Sequence, residues 1–402
     1  MKRYIMILLL LATMAPYARA REIFPINEGW RFFFKSERTS DNARHVTLPH
    51  SWNTDPTAQG QWLETTGNYL NGIFVPLEWA AKRLFLKFYG VQSVADLFVN
   101  GSYVGTHRGG ATAFTFEITD KIRFGTDNTL MVVVSNSCRD DVLPTSTDMN
   151  LYGGIYREVE LIVTDHTAIS PLYFGSDGVL VHTRSVDGER AEGEVEVHIT
   201  SEDQSSCSLR VDIENAAGKV VFSRSLKARI EGKAVSVPFT IENPELWSPS
   251  HPAMYSVTAS IGEDSITDRV TVRTGLRSIA VSPSGGLMIN GVRMPVHGVT
   301  LYHDNALSGG TLSARDYDAD LAQIRTLGAN AVRSAVMPHG QYFYDRCDEE
   351  GIMSWIDIPM HHSEFLGDMA YYAMPEFEQN GITQLQEIVA QHINHPSVIM
   401  WG

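Results

Sequence analysis

The hydrophobic period of this chain changes once, near Gly275, and no single fold accommodates both sides of that change. Before it, apolar residues recur at every second position, the spacing of strands with one buried face. Leu84, Leu86 and Phe88 interleave with Phe85, Lys87 and Tyr89, and residues 95–99 read as a further strand. Asn100-Gly101 is a two-residue hairpin turn leading to Tyr103 and Val104. Phe114 and Phe116 alternate, residues 129–134 form a continuous apolar strand, and Val159, Leu161 and Val163 close the series. Many short strands between frequent turns predict a β-sandwich of the jelly-roll kind over residues 21–166. From 167 to 274 the alternation resumes, with Val195, Val197 and Ile199 set against Glu194, Glu196 and His198, then Cys207, Leu209, Val211 and Ile213. About a hundred residues patterned this way predict an immunoglobulin-like sandwich, without the Cys–Trp–Cys spacing of an antibody-type domain.

Beyond Gly275 strands alternate with helices. Ser313-Ala-Arg-Asp316 is a capping-box start, Tyr317, Leu321, Ile324 and Leu327 follow at helical intervals, and Gly328 is the stop. Residues 331–332 predict a strand, 341–350 a helix and 352–358 a strand. An amphipathic helix over 377–392 should bury Ile382, Leu385, Ile388 and Val389, and 398–401 is the next strand. With residues 295–299 as the first, four βα strands fit into 275–402, where a closed α/β (TIM) barrel needs eight in ~250 residues. The predicted fold is therefore multidomain: a jelly-roll sandwich, an immunoglobulin-like sandwich and the first half of an α/β barrel. A half barrel leaves strand edges and helix faces uncovered, so the sequence is expected to continue past Gly402.

Composition narrows the class. A formal charge of −15 argues against nucleic acid or an anionic membrane as partner, since both need clustered Lys and Arg. The first twenty residues read as an export signal: Lys2 and Arg3 lead, an apolar stretch covers residues 5–14, and Ala18-Arg19-Ala20 is a small-residue cleavage site. That stretch is too short to span a bilayer. The mature chain is expected to start near Arg21 and to work in the periplasm or outside the cell. Cys138, Cys207 and Cys347 are odd in number and match no metal or redox spacing. Each is expected to pack as a small apolar group, and nothing selects a pair for a disulfide.

Seven segments carry a further signal. Leu48-Pro-His-Ser-Trp-Asn53, Val99-Asn-Gly-Ser-Tyr-Val-Gly105, Gly153-Gly-Ile-Tyr-Arg-Glu-Val159 and Asn243-Pro-Glu-Leu-Trp-Ser-Pro249 lie in the β units. Asn330-Ala-Val-Arg333, Phe343-Tyr-Asp-Arg-Cys-Asp348 and Asn394-His-Pro-Ser-Val-Ile-Met-Trp-Gly402 lie in the βα region. In this order and spacing the chain resembles the family-2 glycoside hydrolases, which include β-galactosidases, β-glucuronidases and β-mannosidases. The resemblance implies a retaining, exo-acting glycosidase, by default a β-galactosidase, with β-glucuronidase and β-mannosidase as alternatives. Such enzymes use two carboxylates about 5–5.5 Å apart, one as acid/base and one as nucleophile. In the family the acid/base Glu follows an Asn a few residues beyond the His-Pro-Ser-Val stretch, and the nucleophile ends the seventh strand. Neither position falls before Gly402, so no residue here is nominated for either role, and these residues alone are expected to be inactive.

The resemblance does nominate supporting residues. Arg333 ends the second barrel strand, where related barrels place an Arg that donates hydrogen bonds to the nucleophile. The alternative is a structural Arg, although a buried strand end would require a charged partner for it. Asp148 matches a jelly-roll Asp that reaches the barrel mouth and accepts hydrogen bonds from sugar hydroxyls, or else it is a turn Asp capping its own backbone. Asn150 and Tyr152 share its loop. His303 and Asp304 follow the first strand, and His361 and His362 the third, where βα loops build a pocket; sugar contact competes with an ordinary solvated loop. Adjacent histidines on an extended chain point apart and no third ligand is evident, so no metal is nominated. No cofactor is expected, and a bound cation is left open.

Trp355 and Trp401 are expected to fill the barrel core, with sugar stacking as the alternative. After Arg333 the family continues with a polar His-Tyr-Pro-like stretch where this chain has Ser334-Ala-Val-Met-Pro338, and after the first strand Thr300 and Tyr302 replace the usual Asn and His. These departures leave the substrate open, and His339 is the candidate to replace a missing contact. A rival reading of another class is a carbohydrate-binding protein that kept the jelly roll and lost the chemistry, favoured by Val336 and Met337. Either way the expected partner is a carbohydrate, with a homo-oligomer left open. The two readings diverge in the next dozen codons: an Asn-Glu pair within several residues of Gly402 is the outcome expected for an enzyme, and its absence the outcome expected for a binder.

Overall fold

The computed structural model describes residues 20–37, 43–54, 63–144, 151–283, 285–360 and 374–402. Residues 1–19 of the expected export signal, with Asp148, Asn150, His361 and His362, lie outside the described residues. In the first unit a six-stranded sheet runs in the order Arg44–Val46, Trp30–Phe34, Thr66–Val75, Thr126–Ser135, Val94–Val99, Ser102–Arg108. It shares one core with a four-stranded sheet of Glu22–Pro25, Val159–Thr164, Arg83–Phe88 and Phe114–Glu117. Asn100 and Gly101 adopt φ of 52° and 80°, the two left-handed residues that a two-residue hairpin with the right twist demands. Arg83–Phe88 is buried at every position because its outer face is covered as well. There Arg83 donates to Glu117 and to Thr200 of the second unit, and Lys87 pairs with Asp177 at 2.8 Å.

The second unit sets a three-stranded sheet (Val179–Val186, Arg190–Val197, Val235–Glu242) against a four-stranded one (Val220–Arg229, Ser206–Glu214, Tyr255–Ile261, Asp268–Thr274) around its own apolar core. Cys207 and Cys347 are buried thiols, and Cys138 is half-buried.

The third unit is a parallel sheet of β1 (Gly298–Leu301), β2 (Ala331–Ser334), β3 (Met353–Ile356) and β4 (Val398–Trp401), in that order. Helices α1 (Ala314–Thr326), α2 (Gln341–Glu350) and α3 (Pro375–His392) connect the strands. The first strand starts later than the sequence predicted, because the segment before it bonds to a side chain: Asn330 takes the His297 N–H and donates to the Pro295 carbonyl. The capping box at Ser313 and Asp316 is present. Leu327 is 73% exposed, however, capping α1 instead of joining the core. A three-stranded antiparallel sheet that the sequence did not announce (Ile279–Val281, Leu287–Ile289, Val292–Met294) lies beneath the barrel strands. Its Ile289 packs with Trp247, Met254, Ala331 and Met353, and the Trp247 indole donates to the Asp348 carbonyl at 2.9 Å.

Helix α3 corrects the sequence reading. Ile388 is buried, but Ile382 and Leu385 are 52% and 40% exposed. The buried face instead carries Asn380, Gln384 and Glu387. Asn380 accepts the Leu143 N–H at 2.9 Å and donates to the Arg108 carbonyl at 2.8 Å. Glu387 lies 2.9 Å from His107 and accepts the Thr112 hydroxyl, while Gln391 bonds both the N–H and the carbonyl of Ala113. The helix docks on jelly-roll loops whose backbone groups need partners once buried, so amides and a carboxylate face inward. Hydrophobic periodicity assumes an apolar partner and misses this.

Glu387→Ala is accordingly expected to cost about 1–3 kcal/mol by stranding the buried Thr112 and His107 groups. Leu385→Gln on the same helix should stay within about 0.5 kcal/mol. Urea unfolding of the two variants checks the contrast, and equal losses would refute it.

Candidate active site

Strand pairing sets Thr300, Arg333, Trp355 and Met400 side by side across β1 to β4. All four are exposed, whereas Val332 and Ile356 on the opposite face are buried. In a closed barrel such a row packs against the strands opposite; here it faces solvent. Trp355, expected in the core, is therefore 37% exposed; Trp401, also expected there, lies on the opposite face beside Ile356 and is 37% exposed too. The Arg333 guanidinium lies 5.0 Å above the Trp355 ring. Its Nη2 is 2.7 Å from Asp357 Oδ2, and its Nε donates to Oδ1 at 3.2 Å. The Arg333 side chain is 47% exposed, so its strand end is open, not buried; the charged partner is present all the same. Hydrogen bonding to Asp357 holds the guanidinium above its ordinary pKa.

Beside this row, a cavity of about 40 Å³ marks the seam between jelly roll and barrel. Gln92, Tyr152 and Tyr156 line one wall, and Tyr302, Asp304 and Met337 the other. Asp304 sits exposed at the rim. His303 also touches the cavity but is buried, so it is no solvated loop residue. It stacks on His339, with ring centroids 5.3 Å apart and planes 15° apart, and its Nε2 lies 3.2 Å from the Tyr317 hydroxyl. His339 is fully buried and neither ring nitrogen has a hydrogen-bond partner among the described residues, so it does not take over the missing contact at the mouth. Burial, helped by the nearby Arg157 charge, pushes His303 well below the usual imidazole range and His339 down to about 3.

What holds the loop after β2 in place is Arg157, from the Gly-Gly-Ile-Tyr-Arg segment. Its buried guanidinium donates to the carbonyls of Tyr89 and Ala111 in the jelly roll and, at 2.8 Å, to that of Pro338 in the barrel. The adjoining Tyr156 hydroxyl donates to the Gly110 carbonyl at 2.6 Å.

Among the described residues one group of acidic and imidazole side chains has metal-like spacing: the ligand atoms of Asp345, Asp348 and His395 lie within 4.8 Å of one another. Both Asp348 oxygens are already engaged, one by His395 Nδ1 at 2.6 Å and one by the Ser397 N–H at 2.9 Å. The cluster is a clasp between α2 and the approach to β4.

Residues 45–165, 178–277 and 279–402 match, in turn, the sugar binding domain, the central family domain and the TIM barrel domain of the glycosyl hydrolases family 2. The chain belongs to that family. It is 36% identical over 402 residues to a β-glucuronidase of Bacteroides fragilis, covering 98% of this chain and 57% of the relative. It is 29% identical to a β-galactosidase of Thermoanaerobacter pseudethanolicus, covering 95% and 51%. A crystal structure of Bacteroides uniformis β-glucuronidase superposes with a TM-score of 0.85 at 27% identity, covering 95% of this chain and 46% of the other. The chain thus spans about half the length of the family-2 proteins it matches.

Within this family-2 scaffold the structure brings Arg333 to the open inner face of the barrel sheet, and His303 and Asp304 to the adjoining seam. Sequence reasoning missed Asp357, which falls inside the strand predicted over 352–358 but lies one residue past the end of β3, on the same barrel face as Arg333. Arg157 was visible only as part of a motif.

The buried histidines make a pH prediction. In the unfolded chain His339 takes a proton near pH 6.5, and in the folded chain only near 3. Between those values the unfolded state binds more protons, so stability falls as the pH drops from about 6.5 towards 3. His339→Phe is expected to flatten that acid limb by up to about 1.4 kcal/mol per pH unit. Urea midpoints between pH 4 and 7 decide it; an unchanged slope refutes the assignment.

Proposed function

We propose that the complete protein is a retaining, exo-acting β-glycosidase that releases a terminal sugar from a glycan outside the cytoplasm. The observation carrying this reading is Arg333, open to solvent and anchored by the buried Asp357 at the carboxyl ends of β2 and β3. That is the face on which α/β barrels build active sites. An exposed guanidinium anchored on one side by Asp357 has donors left for a second carboxylate, which it would keep ionised and oriented for attack on the anomeric carbon. The other member of a retaining pair is a protonated carboxyl that gives its proton to the departing oxygen and, as a carboxylate, then takes one from the water that hydrolyses the glycosyl-enzyme; neither step requires a cofactor. Trp355 offers an exposed aromatic surface on the same face as Arg333 to the C–H face of a sugar ring.

The β-glucuronidase name of the Bacteroides fragilis relative supports β-glucuronides as the first substrate to try, and the Thermoanaerobacter β-galactosidase supports β-galactosides as the second. The export signal over residues 1–20 supports a periplasmic or secreted protein. Val336 and Met337, apolar where the family pattern is polar, favour the second reading, a carbohydrate binder without catalysis.

The complete protein assayed on 4-nitrophenyl β-glucuronide, β-galactoside and β-mannoside is expected to turn over at least one of them. Arg333→Ala should lower kcat/KM on that substrate by about a hundredfold or more. Failure on every β-linked substrate, with retained sugar binding, would replace the enzyme by the binder.

A further inference from the structure

Val336 adopts a φ of 69°, left-handed backbone that is an outlier for a β-branched residue. Such a conformation persists only where its surroundings impose it, and it tends to mark functional sites. Three restraints are visible. The Ala335 N–H donates to the Leu301 carbonyl at 2.9 Å, and the Pro338 carbonyl accepts from Arg157. At the turn itself, the Val336 N–H donates to Asp357 Oδ2 at 3.2 Å. That oxygen also takes Arg333 Nη2, while Asp357 Oδ1 takes Arg333 Nε. One carboxylate thus fixes both a strained backbone turn and the guanidinium at the barrel mouth. Ala335 and Met337, on either side of Val336, line the seam cavity opposite the jelly-roll tyrosines.

We propose that Asp357 is a positioning residue that couples the orientation of Arg333 to the left-handed turn at Val336, so that the guanidinium and the Ala335–Met337 wall of the cavity are set as one unit. Asp357 is nearly buried and its two oxygens face these donors, so its influence on a bound sugar runs through Arg333 and the wall. The catalytic consequence rests on the proposed glycosidase activity; the coupling itself does not.

A double-mutant cycle in this chain tests the coupling. Asp357→Asn keeps the shape but turns an amide donor towards existing donors, and Val336→Gly adopts φ near 69° without strain. Asp357→Asn is expected to lower the urea midpoint less in the Val336→Gly background than in the natural one; additive midpoints overturn the proposal. Should Asp357→Asn fail to fold, Arg333→Gln reads the coupling from the other side. It should speed hydrogen exchange of the Val336 amide, and unchanged exchange overturns the proposal. In the complete enzyme, Asp357→Asn should lower kcat by about ten- to a hundredfold with a smaller change in KM. Full kcat in that folded variant also overturns it. If no glycoside is hydrolysed by the natural protein, the functional reading fails, while the midpoint cycle still decides the coupling.

Discussion

The buried guanidinium of Arg157 ties this molecule together, because it cannot be satisfied by one domain alone. Taking such a charge out of water is costly unless its donors find acceptors. Two of the acceptors are jelly-roll carbonyls and the third, Pro338, belongs to the loop after β2. If the jelly roll were displaced from the barrel, a buried cation would lose a charge-assisted bond. The arrangement also explains the buried, neutral state of His303 and His339: a fixed positive charge beside them in a water-poor seam disfavours a second and third.

Helix α3 reinforces the same contact by a different means. Its inward face is a row of amides and a carboxylate meeting backbone groups of jelly-roll loops, so orientation is set by hydrogen-bond geometry more than by apolar area. Apolar faces slide and re-pack with modest loss; a ladder of directional bonds tolerates little rotation. The seam cavity, which draws one wall from each domain, inherits its shape from that rigidity.

The architecture was legible in the sequence wherever it depended on local periodicity. The alternation of residues 195–199, the Asn100-Gly101 turn, the Ser313 capping box and the four βα strands all express short-range rules that carry over directly. Features set by contacts between distant segments were not legible. The polar docking face of α3, the exposure of Trp355 and the burial of His339 depend on what the fold brings opposite each residue, which spacing does not encode. Arg333 could be placed from the strand end on which it lies. Asp357 could not, because a lone carboxylate after a strand is common and only its distance to Arg333 singles it out. Asp148, Asn150, His361 and His362 lie outside the described residues, so their roles stand where the sequence left them.

The small antiparallel sheet beneath β2 and β3 bears on how ligands would travel. Trp247, Ile289 and Met353 close the amino-terminal end of the strands with apolar side chains that are essentially inaccessible. The described strands are therefore closed off at their amino-terminal ends. Whatever reaches Arg333 and Trp355 comes from the carboxyl ends of the strands or across their open inner face, never through the base.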